Sequence, residues 1–272
     1  AGKPLWQLLA PPGAGAVPQV ASGDAAATAN AAVRLPAYAS LLRYGDPELV
    51  ARNAAHARAQ GYRQIKLHEI TVDAVAAARA AVGPDVALMM DCNCPWTAPE
   101  AIAMAERLRA FDLAWFEEPV WPPEDYPALA RVRRAAGIPL SAGENAMSAD
   151  DFERMFEAGA VDIAQPSVTK IGGVSAFIEV AERARRHGVR VVAHSPYFGP
   201  GLLATLHLSY ALLGTDSAQG GAAAPIEYSF CELGENPLHR ALAVVDGTIA
   251  LPDRPGLGAD PDPSTLARCA ID

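Results

Sequence analysis

The feature that most constrains this chain is a repeat of pattern rather than of residues. From residue 33 onward, short apolar, β-branched runs alternate with segments rich in Ala, Leu, Arg and Glu whose apolar residues recur at helical spacing. The runs that read as strands are Arg34–Tyr38, Gln64–Leu67, Val86–Met90, Leu113–Phe116, Leu140–Ala142, Asp162–Ala164, Arg190–Ala193 and Pro225–Glu227. Helical segments are expected near 47–60, 72–82, 98–110, 124–135, 149–158, 173–187 and 202–213. Strands that alternate with helices run parallel and are joined by right-handed crossovers. Eight units of about 25 residues fit a closed α/β architecture, a (β/α)8-type TIM barrel. A doubly wound open sheet is the alternative. It would need a glycine fingerprint after the first strand, where the chain reads Tyr38-Ala39-Ser40-Leu41-Leu42.

Residues 10–32 are rich in Ala, Gly and Pro, lack periodicity and read as a linker. The expected organisation is therefore a junction over 1–32, a barrel over 33–230 and a tail over 231–272. The tail holds a hairpin around Ala243-Val244-Val245-Asp246-Gly247-Thr248-Ile249 and is expected to pack outside the barrel or on a further domain. The start has no initiator Met, as in a piece of a longer protein.

Acidic residues outnumber basic ones 31 to 22, and no Lys/Arg run is longer than a pair, which argues against a nucleic-acid partner. No stretch approaches the roughly 18 uninterrupted apolar residues of a membrane helix. The four cysteines, Cys92, Cys94, Cys231 and Cys269, are too irregularly spaced for a disulfide scaffold or a zinc site. With no signal peptide visible, the expected compartment is the cytoplasm.

In such a barrel the active site lies at the carboxyl ends of the strands, so polar residues that follow the apolar runs are the candidates. Asp91 follows Ala87-Leu88-Met89-Met90, Glu117 follows Ala114-Trp115-Phe116, and Glu144 follows Ser141-Ala142-Gly143. They are 26 and 27 residues apart, one repeat each, which sets them at one depth on neighbouring strands. Three anions converging in a partly dry site repel unless a cation lies among them. All-oxygen ligation with room for water favours Mg²⁺ over zinc. The alternative is three strand-end acids exposed in loops. Glu118 is expected on the opposite side of its strand, in a structural role.

The motifs Ile65-Lys66-Leu67-His68, Met90-Asp91-Cys92-Asn93, Trp115-Phe116-Glu117-Glu118-Pro119, Gly143-Glu144-Asn145 and Lys170-Ile171-Gly172-Gly173, with His194 at a strand end, resemble a known barrel. In that order they are similar to the mandelate racemase and muconate-lactonising branch of the enolase superfamily. The opening Gly2-Lys3-Pro4-Leu5-Trp6-Gln7-Leu8-Leu9 and the turn Pro252-Asp253-Arg254-Pro255-Gly256-Leu257-Gly258 resemble that family's segments on either side of its barrel. The resemblance implies a modified (β/α)7β barrel, here without the N-terminal capping domain that closes over the site in that family. It also implies a small carboxylate substrate and homo-oligomeric assembly of the full-length protein. The shared chemistry is removal of a proton α to a carboxylate, with Mg²⁺ stabilising the enediolate.

In that branch the second strand usually ends in Lys-x-Lys, the second lysine being a base. Lys66-Leu67-His68 places His68 at that position, with Lys66 beside it on the barrel side. Histidine needs no large shift to act at neutral pH, and the Lys66 cation is expected to keep it neutral and to help hold the substrate carboxylate. The alternative for His68 is a strand-end histidine bonded to a backbone carbonyl. His194 matches the seventh-strand histidine that acts as acid or base on the opposite face of the substrate. The aspartate that usually orients it is replaced by Ser167. That loss makes a two-base racemase less apt than donation of a proton to a departing hydroxide.

Asn93 and Trp96 resemble the form seen in sugar-acid dehydratases, and together with Asn145 and Glu227 they are expected to bind substrate, a surface role being the alternative for Glu227. His56, His187, His207 and His239 fall in helical stretches or the tail and read as structural. The expected function is a Mg²⁺-dependent dehydratase, a lyase that converts a sugar acid to a 2-keto-3-deoxy acid. A racemase, epimerase or cycloisomerase of a carboxylate, and a non-catalytic binding module, remain as alternatives.

Overall fold

The computed structural model describes residues 2–9, 33–213 and 224–270, so the expected linker over 10–32 lies outside the described residues. Within them a short helix α1 (Leu5–Leu9) precedes the repeat. The strands are β1 (Arg34–Ser40), β2 (Gln64–Leu67), β3 (Ala87–Asp91), β4 (Leu113–Glu117), β5 (Leu140–Ala142), β6 (Ile163–Ala164), β7 (Arg190–Val191) and β8 (Ile226–Ser229). The helices between them are α2 (Pro47–Ala59), α3 (Val72–Val82), α4 (Ala98–Leu108), α5 (Tyr126–Ala136), α6 (Ala149–Glu157), α7 (Val174–His187) and α8 (Pro200–Leu208). Several helices start where sequence supplies a cap. Asp46 accepts from the amides of Glu48 and Leu49, and Ser148 from that of Asp151.

Strands β1 to β7 pair in parallel in chain order, and β8 returns to pair in parallel with β1, matching Ala37 with Ile226 through Ser40 with Ser229. This is a TIM-type barrel. Its inner floor is Tyr38, Met89, Trp115, Ile163 and Val192, while the larger apolar core lies between strands and helices. Two differences from expectation occur near the seam. Strands β6 and β7 span two residues each, but the parallel ladder continues past them through Val192 N–H to Ala164 O (3.0 Å) and His194 N–H to Pro166 O (3.2 Å). The proline in Gln165-Pro166 lacks a donor, which shortens the regular ladder there. Helix α8 begins at Pro200, a residue pre-set for a first helical position, and gives way to a π-helical turn over Ser209–Leu213.

The tail forms the expected hairpin, β9 (Val244–Val245) and β10 (Thr248–Ala250), turned through Asp246 and Gly247, both at positive φ (49° and 65°). Strand β10 pairs antiparallel with Arg34–Pro36 at the start of β1, and a short helix α9 (Pro263–Arg268) follows. No helix among the described residues is long and apolar enough to cross a membrane.

Candidate active site

The strands deliver Lys66, Asp91, Glu117 and Glu227 to the barrel interior, where all four are buried. Lys66 Nζ lies 2.7 Å from Glu227 Oε1, 2.8 Å from Glu117 Oε1 and 3.1 Å from Asp91 Oδ2. Burial opposes its charge, yet the three carboxylates hold its pKa well above the ordinary lysine value. Lys66 is therefore a fixed cation inside the cluster.

Glu144 arrives differently. Strand β5 ends at Ala142, and Gly143 at φ 137° turns the chain so that Glu144 leans over the others, half-buried. Asp91, Glu117 and Glu144 each offer one oxygen, all within 4.8 Å of one another. Burial and the charge of Asp91 push the Glu117 carboxyl up to about 7, so the ammonium of Lys66 does not fully compensate the cluster. A hard dication would, and an all-oxygen donor set suits magnesium. Inward-facing Ser141 and the Gln165 side-chain amide are buried without a hydrogen-bond partner among the described residues, polar groups available to water or ligand oxygens.

The two histidines flank the triad. His68 Nε2 is 3.1 Å from Asp91 Oδ2, and its Nδ1 bonds the carbonyl of Leu41. The backbone bond named as the alternative for His68 thus coexists with a contact to the carboxylates. The expectation that Lys66 keeps His68 neutral needs correction. Burial and Lys66 both lower its pKa, but the bond to Asp91 and that carboxylate's charge outweigh them, and the net direction is up. On the other side His194 Nε2 is 3.0 Å from Glu144 Oε2. Its Nδ1 lies 3.4 Å from the hydroxyl of Tyr197, which bonds Ser167 Oγ. Ser167 Oγ is in turn 3.1 Å from Thr169 Oγ1.

The residues expected on the substrate are more dispersed. Glu227 gives Oε1 to Lys66 and to Ser40 Oγ (2.9 Å), and Oε2 to the amide of Ser195 (2.8 Å). Burial opposes its charge, but Lys66 brings its pKa down to about 2. Ser195 Oγ also donates to the Glu227 carbonyl (3.1 Å), and these bonds bridge β7 to β8, between which the described residues form no ladder. Asn93 is exposed. Its amide donates to Asp91 Oδ1 (3.0 Å), and its side chain accepts from Arg43 (3.2 Å). Trp96 lies on Phe116 at 6.0 Å between ring centroids. Asn145 donates to Glu118 Oε2 (2.7 Å).

Glu118 does not follow the alternation that assigned it to the other side. At φ 44° it has left the strand, and its buried carboxyl is pushed up to about 8 by burial and by the charge of Glu144. Sequence reasoning also passed over Arg43, whose guanidinium bonds the carbonyls of His68 (2.9 Å) and Cys92 (3.0 Å) and so ties the β2 and β3 ends together. No motif marks Arg43 or Tyr197. Both lie in loops, where spacing carries no register.

Residues 49–265 match the family described as Enolase C-terminal domain-like. The chain belongs to that family. It is 36% identical over 221 residues to a D-galactarolactone cycloisomerase of Agrobacterium fabrum, covering 77% of this chain and 57% of that protein. It is 32% identical over 185 residues to an L-talarate/galactarate dehydratase of Salmonella typhimurium, covering 67% of this chain and 42% of that protein. The fold matches the crystal structure of a racemase from Streptomyces coelicolor with bound magnesium, with a TM-score of 0.74, 27% identity and coverage of 99% and 67% of the two chains. The chain thus spans about half the length of these curated relatives, which are enzymes of sugar-acid metabolism and include both cycloisomerases and dehydratases.

Proposed function

We propose that this chain carries the metal and proton-transfer site of a magnesium-dependent dehydratase acting on a sugar acid. The observation that supports it is the placement of two imidazoles on opposite sides of one carboxylate triad, His68 against Asp91 and His194 against Glu144. Asp91, Glu117 and Glu144 would hold the ion. Magnesium, when bound, would neutralise the charge that develops on the substrate carboxylate as the α-proton leaves. The bond from His68 to the Leu41 carbonyl requires a proton on Nδ1, so Nε2 is the nitrogen that would take the α-proton, once the ion engages Asp91 and Nε2 is released from that carboxylate. On the opposite face His194 gives a proton to the departing β-hydroxyl. Lys66 keeps Asp91 and Glu227 ionised and holds Glu117 in place beside them.

Cycloisomerisation is the second reading, favoured by the 36% identity to the galactarolactone enzyme. Incubating the protein with aldonic and aldaric acids and their lactones in D₂O with magnesium separates the two. Dehydration yields a 2-keto-3-deoxy acid. Cycloisomerisation yields an isomer of the starting lactone with no keto acid. Deuterium returned to the α-carbon of intact substrate, with no keto acid formed, would reject dehydration.

A further inference from the structure

Arg43 lies on an exposed loop, yet bonds on both sides of it hold that loop still. Before it, Leu41 N–H donates to the Lys66 carbonyl (2.9 Å). After it, the amides of Tyr44 and Gly45 donate to Glu69 Oε1 (2.8 and 3.2 Å), a carboxylate that is itself buried. The guanidinium is pinned as well, Nε to the carbonyl of His68 (2.9 Å) and Nη2 to the carbonyl of Cys92 (3.0 Å) and to Asn93 Oδ1 (3.2 Å). These three acceptors are neutral. Among the described residues Arg43 has no carboxylate within 4.0 Å, and Nη1, with two protons to give, has no acceptor.

Two of the residues that anchor the guanidinium also touch the triad. His68 Nε2 is 3.1 Å from Asp91 Oδ2, and the Asn93 amide is 3.0 Å from Asp91 Oδ1. Arg43 therefore stands one residue out from Asp91, on the His68 side of the site. Below the triad the barrel is filled by Tyr38, Met89, Trp115, Ile163 and Val192. A substrate whose reacting carboxylate lies at the triad must send the rest of its chain the other way, toward exposed Arg43 and Asn93. A hydroxyl at the far end of that chain needs no charge to meet it. A fixed guanidinium with no anion of its own matches a carboxylate, whose oxygens can accept both Nη1 protons. Because the loop and the guanidinium are already ordered, little freedom is lost on binding.

We infer that Arg43 is a specificity-determining residue that binds a second, far carboxylate of the substrate through Nη1, so that the preferred sugar acid is a dicarboxylate. This rests on the proposed function, which puts the near carboxylate and its α-carbon between the triad and His68. It adds the chemistry of the substrate's other end, which the triad and the two histidines leave open.

The test uses pairs of aldaric and aldonic acids of the same configuration, galactarate with galactonate among them, which differ only in a carboxylate or a hydroxymethyl group at the far end. Affinities are measured by isothermal titration with magnesium chloride in a His68→Asn background. There the side chain that takes the α-proton is gone, and the backbone carbonyl that holds Arg43 remains. The expected result is tighter binding of an aldaric acid than of its aldonic partner. Adding Arg43→Met should weaken the aldaric acid about tenfold or more, the scale of one hydrogen bond between charged groups, and leave the aldonic acid nearly unchanged. Arg43→Lys, which keeps the charge, should recover part of that loss. Equal losses for the two acids would assign Arg43 to holding the strand ends and overturn the proposal. So would no loss for either, or tighter binding of the aldonic acid from the start. If no acid of either kind binds before Arg43 is changed, the functional reading itself fails, so the two failures are distinguishable.

Discussion

Lys66 shows how the meaning of a single residue changes once its neighbours are known. By alternation it faced the barrel, and by resemblance it held a substrate carboxylate, but its ammonium is consumed by three carboxylates of the chain itself. Removing one member of a buried ion cluster leaves the others uncompensated, which costs about 3–5 kcal/mol. Lys66→Met is therefore expected to lower the free energy of urea unfolding by that order. A loss below about 1 kcal/mol would show that Asp91, Glu117 and Glu227 do not depend on it. Asp91, Glu117 and Glu144 were legible from the sequence because one barrel repeat separates them, and the repeat is a property of the backbone. The Glu118 contacts were not, since a single residue at positive φ ends the two-residue alternation on which its side was assigned. Tyr197 was invisible for a related reason: it reaches His194 from a loop.

At the scale of elements, the eight strands and most helix boundaries followed from apolar periodicity, and the departures fall where a residue breaks local regularity. Gly143 is the most consequential. Its φ of 137° belongs to glycine, and a Cβ there would lie 2.7 Å from the Phe152 ring and 3.0 Å from the backbone nitrogen of Gln165. The turn that lifts Glu144 over the triad thus depends on the absence of a side chain at the preceding residue. Gly143→Ala is expected to cost about 1–3 kcal/mol through strain and overpacking. Because Glu144 follows directly, magnesium affinity measured by isothermal titration should fall as well. A variant with unchanged stability and unchanged affinity would show that the turn tolerates a side chain and that Glu144 is placed by other contacts.

For the whole molecule, the segments that flank the barrel in sequence meet on its outside. Leu5 N–H donates to the Gly256 carbonyl (2.9 Å), Trp6 packs edge-on against Tyr210 (5.3 Å between centroids), and Trp6 N–H donates to Nδ1 of His207 (3.3 Å). At the carboxyl-terminal end of the barrel, the loops after β1, β2, β4 and β5 expose Leu42, Ile70, Trp121 and Met147. His207 read as structural from its place in a helix, yet its partner lies 201 residues away in sequence, a separation no local pattern encodes. Its role has a pH signature. An Nδ1 that accepts from Trp6 must be unprotonated, and burial lowers the His207 pKa from its ordinary value. The unfolded chain then binds the proton more readily than the folded one. The contribution to stability is whole above about pH 6.5, the unfolded value, and is lost as pH falls through the lower folded value. His68 shifts the other way, so the total pH dependence mixes both groups. His207→Gln isolates one of them, because a glutamine oxygen can accept from Trp6 without titrating. Between pH 7.5 and 5.5 the urea midpoint of the unsubstituted chain should fall further than that of His207→Gln. Equal shifts in the two proteins would mean that His207 takes up its proton without releasing the amino-terminal segment from the barrel.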